Sequence, residues 1–130
     1  MTIKKAFADF MVAQGLGVFG ENIFIGSAPL DAPAQCWWII SGGGANKSKN
    51  KTGEKQKNYT LNVFYRSLNA ETVDQTLQTF EELINRDDCV VIGNYDIIET
   101  EATSFPSDQD IDNEERTVGL LEITLTVYSN

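Results

Sequence analysis

The sequence predicts one α+β domain: two α-helices packed on one face of a mainly antiparallel β-sheet, with a long flexible hairpin arm. Three observations carry that prediction. Apolar residues recur at helical spacing in two places, near residues 4–14 and 70–86. Elsewhere they alternate with polar residues over segments of strand length. A polar, lysine-studded stretch, Gly42 to Asn58, then separates two of those strands. The 130 residues are enough to bury most of the apolar surface of one domain. With no internal repeat and no linker, residues 1–130 read as a single unit.

In the first helix Ile3, Phe7, Phe10, Met11 and Gln14 fall near helical spacing, and Gly15 stands where a C-terminal cap belongs. A glycine-marked connection, Gly15-Leu16-Gly17-Val18-Phe19-Gly20, leads to the short apolar run Asn22 to Gly26. Pro29 and Pro33 bracket a turn. The strand Gln35 to Ile40 follows, with adjacent Trp37 and Trp38 on opposite sides, so that at least one fills the core. After the arm, Tyr59, Leu61, Val63 and Tyr65 share one face of a strand, with Thr60, Asn62 and Arg66 on the other. Asn69 is a good N-cap for a helix from Ala70 to Arg86, where Val73, Leu77, Phe80 and Ile84 form one apolar stripe. Cys89 to Ile92 reads as a short buried strand. Gly93-Asn94 turns the chain into a strand from Tyr95 to Thr103, and Leu121, Ile123, Leu125 and Val127 alternate with polar residues in a final long strand.

The arm, residues 42–58, is much longer than the usual connection of about 4–6 residues, and apart from Ala45 it has no apolar side chain to bury. Such composition is expected to leave it mobile in the isolated protein. It carries Lys47, Lys49, Lys51, Lys55 and Lys57 against Glu54, within a chain of net charge −9. The body is therefore more acidic than the whole. An acidic body repels a phosphate backbone, which argues against general nucleic-acid binding. A matching acidic block lies between Asp96 and Glu115: Asp96, Glu99, Glu101, Asp108, Asp110, Asp112, Glu114 and Glu115, with no basic residue among them. The arm lysines together with Asp108, Asp110, Asp112, Glu114 and Glu115 are the candidate protein-interaction residues. A solvated loop is the plainer reading of the arm.

Catalytic, cofactor and metal sites are not expected. The chain has no histidine, which removes Ser-His-Asp and Cys-His nucleophiles and every His-ligated metal. Cys36 and Cys89 stand far apart in apolar runs and read as buried thiols. Gly42-Gly43-Gly44 before Lys47-Ser48 lacks the glycine that a phosphate loop needs directly before its lysine. Asp108, Asp110 and Asp112 have the spacing that opens a calcium loop but do not complete one, because Asn113 and Gly119 stand where a glycine and a bidentate Glu are required. The pairs Glu81-Glu82 and Glu114-Glu115 have no burial signal to raise their pKa values for acid-base work. No signal peptide is visible, and no apolar run has the length of a membrane span. The expectation is a soluble protein made in a cytoplasm.

The segment Leu16-Gly17-Val18-Phe19-Gly20-Glu21-Asn22-Ile23-Phe24-Ile25-Gly26, followed by Pro29, Pro33 and Gly42-Gly43, resembles the tail-terminator or minor capsid proteins of long-tailed bacteriophages. The motif-bearing part covers about residues 15–44, and the order of elements is similar over nearly the whole chain. One departure is that Pro33 is followed by Ala34-Gln35-Cys36 instead of the Pro-Asp-Asn that often follows the two-proline turn. The resemblance implies a structural virion protein located at the head-proximal end of the tail. It implies assembly into a ring, commonly a hexamer, with the tail tube protein and a head-completion protein as partners. DNA would pass through the ring without being specifically bound, and no cofactor or membrane is involved. The rival readings are a non-viral monomeric adaptor that binds a peptide at a sheet edge, another head-tail connector component, and an enzyme subunit completed by a partner.

Overall fold

A computed structural model describes residues 2–29, 31–41, 46–49, 55–86, 96–105 and 116–129. Its elements in chain order are α1 (Ile3–Ala13), β1 (Ile23–Ile25), β2 (Cys36–Ser41), β3 (Asn46–Lys49), β4 (Lys55–Ser67), α2 (Ala70–Arg86), β5 (Asp96–Phe105) and β6 (Thr117–Ser129). The strand predicted at Cys89 to Ile92 and the turn at Gly93-Asn94 lie outside the described residues.

The strands form one sheet in the order β1-β2-β4-β6-β5, with β3 pairing β4 beside β2. All pairs are antiparallel except β1 with β2. The parallel pair arises because the chain leaves β1 through the two-proline turn and re-enters β2 in the same direction. Both helices lie on one face, α1 over β1 and β2, α2 over β4, β5 and β6.

That face holds the core. Val73, Leu77, Phe80 and Ile84 of α2 meet Leu61, Val63 and Tyr65 of β4 and Leu121, Ile123 and Leu125 of β6, all buried. Phe80 is the hub: its ring centroid lies 6.0 Å from Phe7, 6.4 Å from Phe10 and 5.6 Å from Trp37, which it meets edge-on. One aromatic cluster thus ties both helices to the sheet, in the offset and edge-on arrangements that favour ring pairs. Trp37 faces the core at 2% exposure, while Trp38 lies on the helix-free face, stacked on Phe64 at 5.4 Å.

Capping residues fix the helix ends. Thr2 accepts a hydrogen bond from the Lys5 amide at 3.2 Å. Asn69 Oδ1 accepts from the amides of Glu71 and Thr72 at 2.9 and 3.2 Å, as expected of an N-cap. At the end of α1, Gly15 has φ 80°. Its amide donates to Val12 and that of Leu16 to Met11, the paired bonds of a Schellman motif.

Candidate functional site

The arm is a direct extension of the sheet. Asn46–Lys49 pairs with Lys55–Asn58, and the same part of β4 pairs with the end of β6. The expected hairpin is present, and strand pairing runs further into it than its polar composition suggests. Residues 55–58 lie between two strand partners, β3 and β6, which take up main-chain groups in a segment that has little to bury. Between the β2 and β3 ladders the register moves, since Ser41 faces Leu61 whereas Asn46 faces Asn58.

Register places Lys47 directly opposite Lys57 and Lys49 opposite Lys55. Four of the five candidate lysines therefore form two like-charge pairs, an arrangement that weakens an isolated hairpin. An anionic partner would relieve it. The fifth, Lys51, and the candidates Asp108, Asp110, Asp112, Glu114 and Glu115 all lie outside the described residues, so nothing here brings the two proposed sets together. Acidic residues do stand on described strands: Asp96, Glu99 and Glu101 on β5, and the exposed Glu122 on β6.

Three further features were not read from the sequence. The first is the outer edge of β5, where the Asn85 side chain of α2 donates to the Ala102 carbonyl at 2.9 Å and accepts from its amide at 2.8 Å. Both main-chain groups of Ala102 thus point away from β6, and Asn85 covers the edge there. The asparagine near the end of a helix was a signal for this, but its target is a tertiary neighbour seventeen residues on.

The second is the glycine-marked connection. Asn22 Oδ1 accepts from the Val18 amide at 2.7 Å, the Asn22 carbonyl accepts from Trp37 at 2.8 Å, and the Gly20 amide donates to Ile23 at 2.9 Å. Gly20 and Gly26 both have φ near 85°, and the Gly26 amide donates to Ile39 at 2.9 Å. The motif is therefore a buckle between α1 and the β1–β2 edge. It leaves Val18 52% and Phe19 39% exposed, with Lys5 Nζ 4.0 Å above the Phe19 ring.

The third is the helix-free face. Phe24, Trp38, Phe64 and Leu120 are successive partners in one row across β1, β2, β4 and β6, and all are half-buried. Arg66 closes one end. Its guanidinium donates to the Pro33 carbonyl at 2.8 Å and sits 5.8 Å from the Trp38 ring, tying the two-proline turn to β4.

Burial raises the pKa of the Cys36 thiol, opposed by nearby Arg66 and Arg116, and burial also raises that of Tyr65 against its hydrogen bond to Thr76. Cys36 is thus an unreactive thiol at neutral pH, as its apolar run suggested. Among the described residues no group of three acidic or cysteine side chains is arranged to hold a metal ion. Among them, too, no helix is long and apolar enough to cross a membrane.

Comparison with known proteins adds two findings. The family model described as bacteriophage tail terminator protein matches residues 10–129. Among solved structures, a chain from the virion of a native gene transfer agent particle superposes with a TM-score of 0.56 at 10% identity, covering 98% of this chain and 92% of that one. At that identity the likeness is one of fold. No curated protein sequence matches significantly.

Proposed function

The chain belongs to the bacteriophage tail terminator family, and from that premise we propose that it caps the tail tube at its head-proximal end as a ring. It is a structural protein of a phage-type tail. On this reading the ring, a hexamer, ends tail polymerisation and then offers the surface on which the head-completion protein joins head to tail. Its partners are further copies of itself, the tail tube protein and the head-completion protein.

The family match over residues 10–129 carries the reading. Physical features of the chain support it. A head-to-tail interface repeated by rotation closes on itself and leaves no free end, which suits a part that must stop a polymer. The acidic body, in a chain of net charge −9, gives DNA passing through the ring little to bind. The arm lysines Lys47, Lys49, Lys51, Lys55 and Lys57 would orient on acidic surface of a neighbour, with Asp108, Asp110, Asp112, Glu114 and Glu115 as the candidate counterpart.

Inactivating the gene in its source phage tests the reading. Tails of uncontrolled length and unjoined heads are expected, with gold-labelled antibody marking the head-proximal tail end of the intact virion. Tails of normal length, or label spread along the tube, would refute it.

A further inference from the structure

We propose that the helix-free face of the sheet in one copy receives the lysine face of the arm of the next copy. This docking surface rests on the ring reading above and specifies where successive copies meet.

Register sorts the arm into two unlike faces. Residues paired directly across strands share a face, and so do residues two apart along a strand. Lys57 pairs with Val127, two residues beyond the core residue Leu125, so it stands on the helix side of the sheet. Lys55 stands there too, and so do Lys47 and Lys49 opposite the two. Asn46, Ser48, Gln56 and Asn58 take the other face, which is neutral. The four lysine positions thus form a two-by-two set, about 5 Å apart across the strands and about 7 Å apart along them.

The helix-free face of the body has the complementary character. Beside the row Phe24, Trp38, Phe64, Leu120 lies the row Ile40, Asn62, Glu122, Thr103, and beyond it Thr60, Thr124, Glu101. Glu122 pairs with Thr103, two residues from Glu101, so the two exposed carboxylates are diagonal neighbours. Ile40 is 38% exposed, and the aromatic row is half-buried. Asn62 Oδ1 is buried and has no hydrogen-bond partner, a state that is rare in folded proteins. Arg66, on the same face, is held by the carbonyls of Pro33 and Ala34 close to Trp38. The face therefore offers apolar surface for a long side-chain stem and acceptors for its charged end, the chemistry that suits a lysine.

A second copy supplies the occupant. An arm does not bring these lysines to the helix-free face of its own sheet, because they stand on the helix side. The arm holds five of the seven lysines in the chain, and of the other two Lys5 is paired with Asp9 at 2.7 Å. The lysine face and the carboxylate face look opposite ways. Two copies therefore cannot exchange them reciprocally about a two-fold axis, and the contact is head-to-tail. Repeated by a rotation that closes, such a contact makes a ring in which every arm and every face is engaged. The twist of long strands such as β4 turns the face of the arm relative to that of the body, which gives successive copies a rotation.

Carbodiimide joins an amine to a carboxylate in direct contact, and it tests this surface on assemblies mixed from unlabelled and isotope-labelled copies. Mass spectrometry is expected to find arm lysines joined to Glu101 or Glu122 in peptides of mixed label. Links confined to one copy, or none to those two carboxylates, overturn the proposal. Charge exchange is the second arm of the test. The variants are Glu101→Lys with Glu122→Lys, then Lys47, Lys49, Lys55 and Lys57 all changed to Glu, and the two sets combined, each checked for folding by circular dichroism. Either set alone is expected to raise the concentration for half-assembly about tenfold at low salt, and the combination to assemble better than both. A combination no better than its halves, or rings that form unchanged with Glu101→Lys and Glu122→Lys, overturns the docking face and leaves the ring reading standing. Rings that form in that variant but no longer seat on tail ends overturn it as well and give the face to a basic surface of the tube protein. Wild-type protein that neither forms rings nor caps tails refutes the ring reading, and the docking face falls with it.

Discussion

Gly17 passes so close to the Asn22 side chain that a Cβ there would fall 2.9 Å from Asn22 Cγ and nearer still to Oδ1. Gly17→Ala is therefore expected to cost about 1–3 kcal/mol by displacing Asn22 from the Val18 amide. Denaturant melts of Gly17→Ala, Asn22→Ala and the double variant should show costs well short of additive, because both single changes break the same contact. Gly15 was readable in the sequence as a helix cap, since that role is local. The need for glycine at 17 was not, because the crowding comes from a side chain five residues on and appears only when the loop folds back. Titration gives a second residue-level expectation. Cys36 and Tyr65 both have pKa values raised by burial, so the folded state holds their protons more tightly than the unfolded chain. Stability is then complete at neutral pH and falls as pH rises above about 8.5, where an unfolded thiol begins to ionise. Urea midpoints measured from pH 7 to pH 11 should decline in the wild type and decline less in Cys36→Ala with Tyr65→Phe. An equal decline in both would assign the loss to other groups.

At the scale of elements, the stripe Val73, Leu77, Phe80, Ile84 and the alternation Leu121, Ile123, Leu125 were legible because each element buries one face against the same core. Asn69 was legible for a local reason, since its side chain serves amides two and three residues on. Asn69→Ala should cost about 1 kcal/mol and lower the melting temperature by about 4 °C, while Asn69→Asp should leave it nearly unchanged. Calorimetry that finds no difference between the two would mean that α2 is held by packing alone. The parallel β1–β2 pair and the six-stranded continuity were not legible. Strand partners are chosen by long-range pairing, and three residues, Ile23–Ile25, carry too little pattern to show direction. The Asn85 cover on β5 escaped for the same reason. Its two hydrogen bonds join elements whose proximity is a property of the assembled sheet.

The molecule as a whole combines a well-packed two-layer body with a hairpin extension whose register sets Lys47 against Lys57 and Lys49 against Lys55. The sequence showed the excess of lysine in the arm but not this opposition, which depends on register. That opposition makes a discriminating assembly experiment possible. Changing Lys47, Lys49, Lys51, Lys55 and Lys57 to glutamate replaces each lysine pair by a glutamate pair, so repulsion within the hairpin persists and only its attraction to an acidic neighbour is reversed. Folding should stay intact and ring assembly or tail capping should fail at low salt. Changing the same five to glutamine removes the internal repulsion and the attraction together. That variant should be at least as stable as the wild type, yet assemble less well. Raising salt shortens the screening length from about 10 Å at 0.1 M to about 3 Å at 1 M, so wild-type assembly should weaken toward that of the glutamine variant. Each exposed pair contributes at most about 1 kcal/mol, so the charges act chiefly on orientation and encounter rate. Light scattering and negative-stain microscopy across a salt series measure both effects. If the glutamate variant assembles like the wild type at low salt, the lysines only keep the arm solvated.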